Sequence, residues 1–258
     1  MARNSRGRDQ FFSQSTRKPE HRILCSSKAA AGTVKAARGL RGFFARFAED
    51  NLRIFPWRAK NVSPFHLLLA EVLLVQTKAE DVAVVWPKLV RKYPAPRVLS
   101  QARSTSLMKV LRPLGLQNQR AKSLVAIARA LCKNFRGRVP RSAKELLSIP
   151  HIGLYTAGAV ACFGFGERLP IVDANVLRVL GRIHGIKVRA DLRRSREIWT
   201  LAWAILPKKN CSRHNYGILD FSSKVCTAKL PQCDSCPLSK VCDFGRRRLA
   251  GIGNETPG

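Results

Sequence analysis

Acidic residues are scarce in this chain of 258 residues: 16 Asp and Glu stand against 47 Lys and Arg, which leaves a net charge of +31. A protein with so much positive charge repels itself unless a polyanion neutralises it. Nucleic acid is therefore the first partner to consider, and an anionic membrane surface is the second. Apolar residues still make up 45% of the chain, enough for most of it to fold around a core.

Long hydrophobic runs are also absent from the sequence. A membrane-spanning helix needs about 20 consecutive apolar residues, and the longest run here, 67–76, is interrupted by Glu71. The N-terminus has no apolar stretch of the kind found in a secretory signal, although its Arg and Ser content leaves an organelle transit peptide open. We expect a monomer outside the membrane, cytoplasmic and associated with the nucleoid if prokaryotic, nuclear or organellar if eukaryotic.

The eight cysteines do not form the pattern of a disulfide scaffold. Four of them cluster near the C-terminus with the spacing C-x6-C-x2-C-x5-C, namely Cys226, Cys233, Cys236 and Cys242. Thiolates are soft ligands that suit zinc or an iron–sulfur cluster in a reducing compartment. Zinc sites usually pair two short C-x2–4-C motifs. Because only one such motif is present, the spacing favours a 4Fe-4S cluster over zinc.

Helical spacing of hydrophobic residues dominates from residue 39 onward, and few segments alternate with the two-residue period of a strand. The N-terminal residues 1–37 are basic, polar and aperiodic, which predicts a disordered arm. At the other end, residues 246–258 would form a short tail. Pro56 should end the first helix. The pattern predicts an all-α protein with further helices at 65–76, 80–92, 103–112, 119–134, 141–147, 156–163, 175–183 and 195–206.

The segment LSIPHIGLYTA, residues 147–157, has the pattern of a helix end, a tight turn and a new helix. Gly153 lets the backbone approach a ligand closely, and free N–H groups at a helix N-terminus favour an anion. His151 stands in the same turn and either meets that anion or only caps the turn. A packing corner between two helices would give the same pattern, so both interpretations remain open at this point.

Two carboxylates lie in contrasting surroundings. If 65–76 is a helix, the neighbours of Glu71 at three and four residues are all apolar, so desolvation would raise its pKa and let it donate a proton near neutrality. A Glu at the edge of the apolar face, reaching water, is the alternative. Asp173 directly precedes a predicted helix, whose dipole and free N–H groups would keep it ionised, unless it is only a helix cap.

A protonated acid and a persistent anion together suit the hydrolysis of an N-glycosidic bond. The departing base must accept a proton, and the sugar passes through a cationic, oxocarbenium-like state. A negative group close to the sugar stabilises this cation and helps to position water. The pair therefore predicts a hydrolase in which Glu71 is the acid and Asp173 is the anion.

These features carry a resemblance to a known family. The cysteine spacing, the hairpin and the segment VDANV resemble the endonuclease III superfamily of DNA glycosylases over about residues 40–245. The resemblance implies an all-α, two-lobed helix-hairpin-helix fold with a C-terminal iron–sulfur loop. Residues 66–181 would form the helical lobe, and 38–65 with 182–245 the cluster lobe. The cleft between the lobes would hold a nucleotide flipped out of double-stranded DNA.

The resemblance also implies which residues meet the DNA. The usual hairpin of the superfamily is Leu-Pro-Gly-Val-Gly, so His151 replaces a glycine two residues before Gly153, and both would lie near a DNA phosphate. Gln76 and Leu116 would enter the duplex as wedges and fill the gap left by the flipped base. In the superfamily the cluster loop meets the DNA backbone, and the candidates for that contact here are Lys229 and Lys240.

Tyr155 occupies the position at which endonuclease III has the lysine that forms a Schiff base and cleaves the strand. A phenol cannot form a Schiff base, so the resemblance implies a monofunctional enzyme that removes the base and leaves an abasic site. Asn175, two residues after Asp173, would form a hydrogen bond in the same site.

Two subfamilies carry a Glu, a Tyr and an Asp at these positions: an adenine glycosylase and an archaeal-type thymine or uracil mismatch glycosylase. The segments LGLQNQRA at 114–121 and YGILDFS at 216–222 resemble the second more closely. We therefore predict an enzyme of base excision repair that releases thymine or uracil opposite guanine. Adenine release opposite guanine or oxidised guanine is one alternative, and a non-catalytic, cluster-bearing DNA-binding protein is the other.

Overall fold

The computed structural model describes residues 28–187 and 195–252, with side chains from residue 37 onward. Every regular element in this part of the chain is helical, which confirms the predicted all-α class. The α-helices are α1 (Lys28–Asp50), α2 (Pro64–Leu73), α3 (Ala79–Lys92), α4 (Pro96–Ser100), α5 (Ser104–Leu111), α6 (Gln117–Phe135), α7 (Ala143–Leu147), α8 (Leu154–Phe165), α9 (Ala174–His184), α10 (Arg196–Ile205), α11 (Cys211–Lys224) and α12 (Asp243–Leu249). Short 3-10 helices lie at Pro56–Arg58 and Arg112–Leu114.

The helices form two compact units, one of residues 54–167 and one of 28–53 with 168–252 within the described part. Their boundaries differ from those of the predicted lobes, which change at residues 65 and 181. The second of these boundaries differs because α9 packs on α11 and α12 and so belongs to the second unit.

The first unit is built around α2, whose side chains are mostly buried. Ser63 begins this helix, since its hydroxyl accepts a hydrogen bond from the backbone N–H of His66 at 3.2 Å. Pro64 follows at the first helical position, where its missing N–H does no harm. Against α2 lies α8, and a small residue makes the contact close: a Cβ on Gly164 would stand 3.2 Å from a methyl group of Leu67.

The second unit is held by aromatic packing between α1 and α11. The rings of Phe44 and Phe221 are both fully buried and meet edge to face with centroids 5.6 Å apart. Gly217 lets the two helices approach, because a Cβ there would come within 3.0 Å of the backbone oxygen of Phe44 and of Cβ of Ala48. Such close contacts explain why a glycine is present inside this helix despite its low helix propensity.

Several helices differ from their predicted bounds. The first helix begins at Lys28, inside the predicted arm of 1–37, because its start is rich in alanine, the strongest helix former; residues 1–27 of that arm lie outside the described part. The same helix ends at Asp50, before Pro56. The predicted tail, 246–258, begins inside α12, and three helices were not predicted at all: α4, α11 and α12.

Within residues 28–187 and 195–252, none of the helices combines the length and apolar character that a membrane span requires.

Candidate functional site

Asp173 is the N-cap of α9, as the sequence predicts. Its Oδ1 accepts a hydrogen bond from the backbone N–H of Val176 at 2.7 Å, and its Oδ2 accepts one from the side-chain amide of Asn175, also at 2.7 Å. Asn175 therefore contacts the carboxylate directly. Both oxygens are held by donors, which fixes the orientation of the carboxylate.

The pKa of Asp173 is subject to opposing influences. Burial acts most strongly and raises it, whereas the hydrogen bonds from Val176 and Asn175 and the charge of Arg178 lower it. The prediction of a persistent anion rested only on the helix N-terminus, whose N–H groups do lower the pKa of Asp173. The effect of burial is larger, so the pKa lies above its ordinary value. A partly desolvated carboxylate interacts more strongly with a nearby cation than one in water.

Glu71 lies near the end of α2 and is only 1% exposed. The alternative in which this side chain reaches water from the edge of the apolar face is therefore excluded. Leu68 and Leu69, in the preceding turn, have no exposed surface at all. A buried carboxyl group in an apolar helix is expensive unless it has a specific function or partner.

Tyr155 lies in the first turn of α8, immediately after the hairpin, and is half-buried. Since α8 packs against α2, Tyr155 and Glu71 belong to the same compact unit. Asp173 and Asn175 belong to the other unit. Each pair of candidate catalytic residues is thus carried by its own set of helices.

The hairpin runs from α7 to α8 and has the predicted helix–turn–helix form. His151 is exposed and adopts the left-handed backbone conformation, with φ at 63°. This conformation is the one that a glycine enters freely, and a side chain there costs about 1–2 kcal/mol. His151 therefore reproduces the turn that a glycine gives in the related motif, and Gly153, also exposed, directly precedes α8.

A cavity of about 230 Å³ opens in the first unit and brings predicted DNA contacts together. Gln76, Leu116 and His151 all line it. Gln76 and Leu116 share the left-handed conformation of His151, with φ at 58° and 49°. Leu116 is 59% exposed and is therefore accessible to a partner. The remaining lining residues are Val72, Val75, Gln119, Arg120, Ser123 and Thr156.

Arg120 also lines this cavity, and sequence patterns do not single it out. It stands in LGLQNQRA, a segment that carries the family resemblance, but a single arginine among 47 Lys and Arg does not stand out in the sequence. Its importance becomes visible only through its contacts with residues distant in sequence.

The four predicted cysteine ligands line one small cavity of about 20 Å³ in the second unit. All four are free thiols. Burial raises the pKa of Cys242 to about 11, and it raises the pKa of Cys233 and of Cys236 as well. Over residues 28–187 and 195–252, no group of three or more His, Cys, Asp or Glu side chains has the arrangement that would hold a metal ion.

A cation borders the thiol cavity. The guanidinium of Arg182 lies 3.5 Å from Sγ of Cys226 and donates a hydrogen bond of 2.7 Å to the carbonyl of Thr227. Its Cζ lies over the ring of Phe244, 4.5 Å from the ring centroid. Lys229, in the same loop, and Lys240 are both exposed and free to meet a polyanion.

Comparisons with known proteins found similar sequences and similar solved structures. Residues 69–203 match the family model described as HhH-GPD superfamily base excision DNA repair protein. The thymine/uracil-DNA glycosylase of Methanothermobacter thermautotrophicus is 34% identical over 77% of this chain and 89% of its own. The structure of a thermostable thymine-DNA glycosylase covers 85% of this chain and all of its own at 31% identity, with a TM-score of 0.77. A non-covalent endonuclease III–DNA complex matches 84% of this chain and 98% of its own at 29% identity, with a TM-score of 0.74.

Proposed function

This chain belongs to the HhH-GPD superfamily of base excision DNA repair proteins and is a DNA N-glycosylase, and we propose that it hydrolyses the N-glycosidic bond of a thymine or uracil mispaired with guanine in double-stranded DNA. The proposal of this substrate draws support from a relative named thymine/uracil-DNA glycosylase and from a similar structure of a thymine-DNA glycosylase. A chain with a net charge of +31 suits a DNA duplex as its partner.

The observation that carries the proposal is the fixed carboxylate of Asp173. When the bond between sugar and base breaks, positive charge develops on the sugar. A carboxylate whose two oxygens are already held by Val176 and Asn175 needs no rearrangement to stabilise that charge. In this proposal Asp173 faces the sugar, stabilises the cation and orients the attacking water, while Asn175 keeps the carboxylate in place.

Glu71 is the second carboxyl group in the proposal. The departing pyrimidine carries negative charge on its oxygens and leaves more readily when it receives a proton. A carboxyl group that is 1% exposed lies out of contact with bulk water, as suits a group that passes a proton directly to the departing base. We assign this proton transfer to Glu71.

Tyr155 limits the reaction to base removal. Strand cleavage by a glycosylase of this family uses an amine that attacks the sugar and forms a Schiff base, and a phenol has no such amine. With Tyr155 in the first turn of α8, the product is an abasic site in an intact strand. Tyr155 then serves to contact the sugar or the flipped base.

The exposed wedge residues serve the step before chemistry. A base in a duplex must leave the stack before it can be cleaved, and a mispaired base leaves at lower cost than a paired one. Gln76 and Leu116 border the same cavity in strained, exposed turns. In this proposal they fill the space that the flipped nucleotide leaves, and the hairpin residues His151 and Gly153 hold a phosphate.

The four cysteines fit a 4Fe-4S cluster by ligand chemistry and by their common cavity. Such a cluster is larger than a single ion, so its thiolates stand farther apart than those of a zinc site. The cluster would stabilise the loop that carries Lys229 and Lys240, which then contact the DNA backbone. Binding would release the thiol protons that burial now holds. Measurement of iron and acid-labile sulfide per chain in protein purified without oxygen tests this part.

The experiment that tests the function uses labelled duplexes carrying G·T, G·U, A·G or adenine opposite oxidised guanine. After incubation, alkali cleaves any abasic site. Release of thymine and uracil, with no cleavage before alkali, is the expected result. Release of adenine alone would replace the proposed substrate by the adenine alternative. Salt-sensitive binding without any base release would make the chain a DNA-binding protein instead.

We further propose that a single copy acts on the DNA, at the nucleoid of a prokaryote or in the nucleus or an organelle of a eukaryote. Sedimentation of the protein with a mismatched duplex tests the stoichiometry.

A further inference from the structure

Arg120 joins two loops that are distant in sequence. Its Nε donates to the carbonyl of Gly115 at 3.1 Å, within the loop before α6. Its Nη1 donates to the carbonyl of Leu73 at 3.2 Å, and its Nη2 donates to the hydroxyl of Thr77 at 2.6 Å. Leu73 and Thr77 lie on either side of the turn that follows α2. One guanidinium thus bridges the end of one helix and the start of another.

The loops that Arg120 joins carry the two wedge residues. Gln76 stands between Leu73 and Thr77, and Leu116 directly follows Gly115. Both wedge residues have left-handed backbone conformations, with φ at 58° and 49°. Non-glycine residues in this conformation persist only where the surrounding contacts hold them, at a cost of about 1–3 kcal/mol each. The hydrogen bonds of Arg120 therefore hold the two backbone segments that contain these strained residues.

We propose that Arg120 is a positioning residue that holds Gln76 and Leu116 in a fixed relation, so that the two side chains enter the duplex together. This inference rests on the proposed function, because it assigns Arg120 to the opening of the base pair. Arg120 need not touch the DNA to act in this way: its three partners are neutral oxygens of the protein.

An arginine is required for this role because of its shape. The planar guanidinium carries its donors in a rigid fork and reaches three acceptors in different directions at once. A lysine keeps the charge, but its single ammonium cannot span the same three oxygens. Arg120→Lys therefore removes the bridge while it conserves charge and most of the packing, and Arg120→Met removes the charge as well.

The test follows the opening of the duplex and not the release of the base. Both Arg120 variants are prepared with Asp173→Asn, which blocks base release, and are bound at saturation to a G·U duplex that carries 2-aminopurine beside the mismatch. The fluorescence of 2-aminopurine rises when the stack opens. Arg129→Met is the matched control, since Arg129 lies exposed on the same helix and donates its bond at 3.3 Å to the carbonyl of Ser100.

We expect the fluorescence rise to fall by about half or more in both Arg120 variants, while the dissociation constant changes by less than about threefold, under 1 kcal/mol. The Arg129 control should keep the full rise. Circular dichroism establishes that each variant is folded, and Arg120→Lys serves if Arg120→Met does not fold.

A full rise in folded Arg120→Lys would overturn the inference. So would weaker binding with a smaller salt dependence and an unchanged rise at saturation, since Arg120 would then be a phosphate contact. The absence of any rise with the protein that carries Asp173→Asn alone would also overturn the inference. The separate alkali assay with the unsubstituted protein would then show whether the proposed base release still stands.

Discussion

The side-chain amide of Asn175 donates a hydrogen bond of 2.7 Å to Oδ2 of Asp173 and so orients the carboxylate at the start of α9. Helix capping by itself needs only one carboxylate oxygen, and Oδ1 already performs it by accepting from the N–H of Val176. The contact with Asn175 therefore adds a constraint that the helix does not require. A function that depends on the direction of the carboxylate explains it.

Replacement of Asp173 by Asn should abolish base release and leave DNA binding intact. Asn caps a helix about as well as Asp, so the fold should be kept while the negative charge is lost. We expect the single-turnover rate on a G·U duplex to fall at least about 10²–10³-fold, with little change in the dissociation constant. Asn175→Ala, which loosens the carboxylate but keeps its charge, should cost less. Full activity of Asp173→Asn would remove this residue from the mechanism.

Replacement of Glu71 by Gln should slow base release strongly at neutral pH. The amide has nearly the same shape and fits a side chain that is 1% exposed, but its N–H protons are not acidic and cannot be transferred to the base. A loss of about 10²–10⁴-fold is typical of a missing general acid. If Glu71 donates this proton, the rate of the parent protein should depend on pH in a way that the residual rate of the variant does not. An identical pH profile in both proteins would count against the acid role.

Tyr155→Lys should introduce an amine at the position where endonuclease III carries its lysine. If Tyr155 lies beside the sugar, the new amine can attack it, and the variant should gain strand cleavage without alkali. Sodium borohydride traps the Schiff base as a covalent protein–DNA adduct that migrates slowly on a denaturing gel. The unsubstituted protein is the control and should give no adduct. Failure to trap one with the folded variant would refute the placement of Tyr155.

The residues that sequence patterns located well are those whose roles depend on near neighbours. Glu71 is buried because the positions three and four residues away are apolar, and Asp173 caps α9 because it directly precedes the helix. His151 stands where the related motif has a glycine, and the backbone there does adopt the left-handed conformation. In each case the deciding interaction is local, so the chain itself records it.

Interactions between distant segments were not predictable in the same way. The apolar run continues through Leu74 and Val75, yet α2 ends at Leu73 and Gln76 turns back with positive φ. One contact that accompanies this turn comes from Arg120, whose partner Thr77 is 43 residues away in sequence. Similarly, α11 was missed because it mixes polar residues with the buried face that contacts α1. Hydrophobic periodicity does not report such tertiary contacts.

His214 should make stability depend on pH. Burial, followed by the nearby charge of Arg41, lowers its pKa from 6.5 to about 4, and neither ring nitrogen has a hydrogen-bond partner within the described residues. The unfolded chain therefore takes up this proton near pH 6.5 and the folded chain only near pH 4. As the pH falls through this window, the free energy of unfolding should decrease, by about 3 kcal/mol at most.

Urea unfolding of the parent protein and of His214→Phe at pH 7 and pH 4.5 measures this effect. Phenylalanine can keep the edge-to-face contact with Phe44, whose ring centroid lies 5.8 Å away, but it cannot be protonated. The variant should lose less stability between the two pH values than the parent does. Equal losses would mean that other groups, such as His184, whose pKa burial also lowers, account for the dependence.

Gly217→Ala should destabilise the second unit, although alanine is the better helix former. The gain in helix propensity is about 1 kcal/mol. Against it, the new methyl group would lie 3.0 Å from the backbone oxygen of Phe44 and from Cβ of Ala48. Neither group can swing away as a flexible side chain would, so α1 and α11 must separate, and overpacking of this kind costs about 1–3 kcal/mol. We expect a net loss of up to about 2 kcal/mol in the free energy of unfolding, measured by urea unfolding.

Gly158→Ala in α8 is the control, because a Cβ there meets nothing within 4 Å, and it should leave stability unchanged or raise it. If both substitutions stabilise the protein, the close approach of α1 and α11 does not explain Gly217.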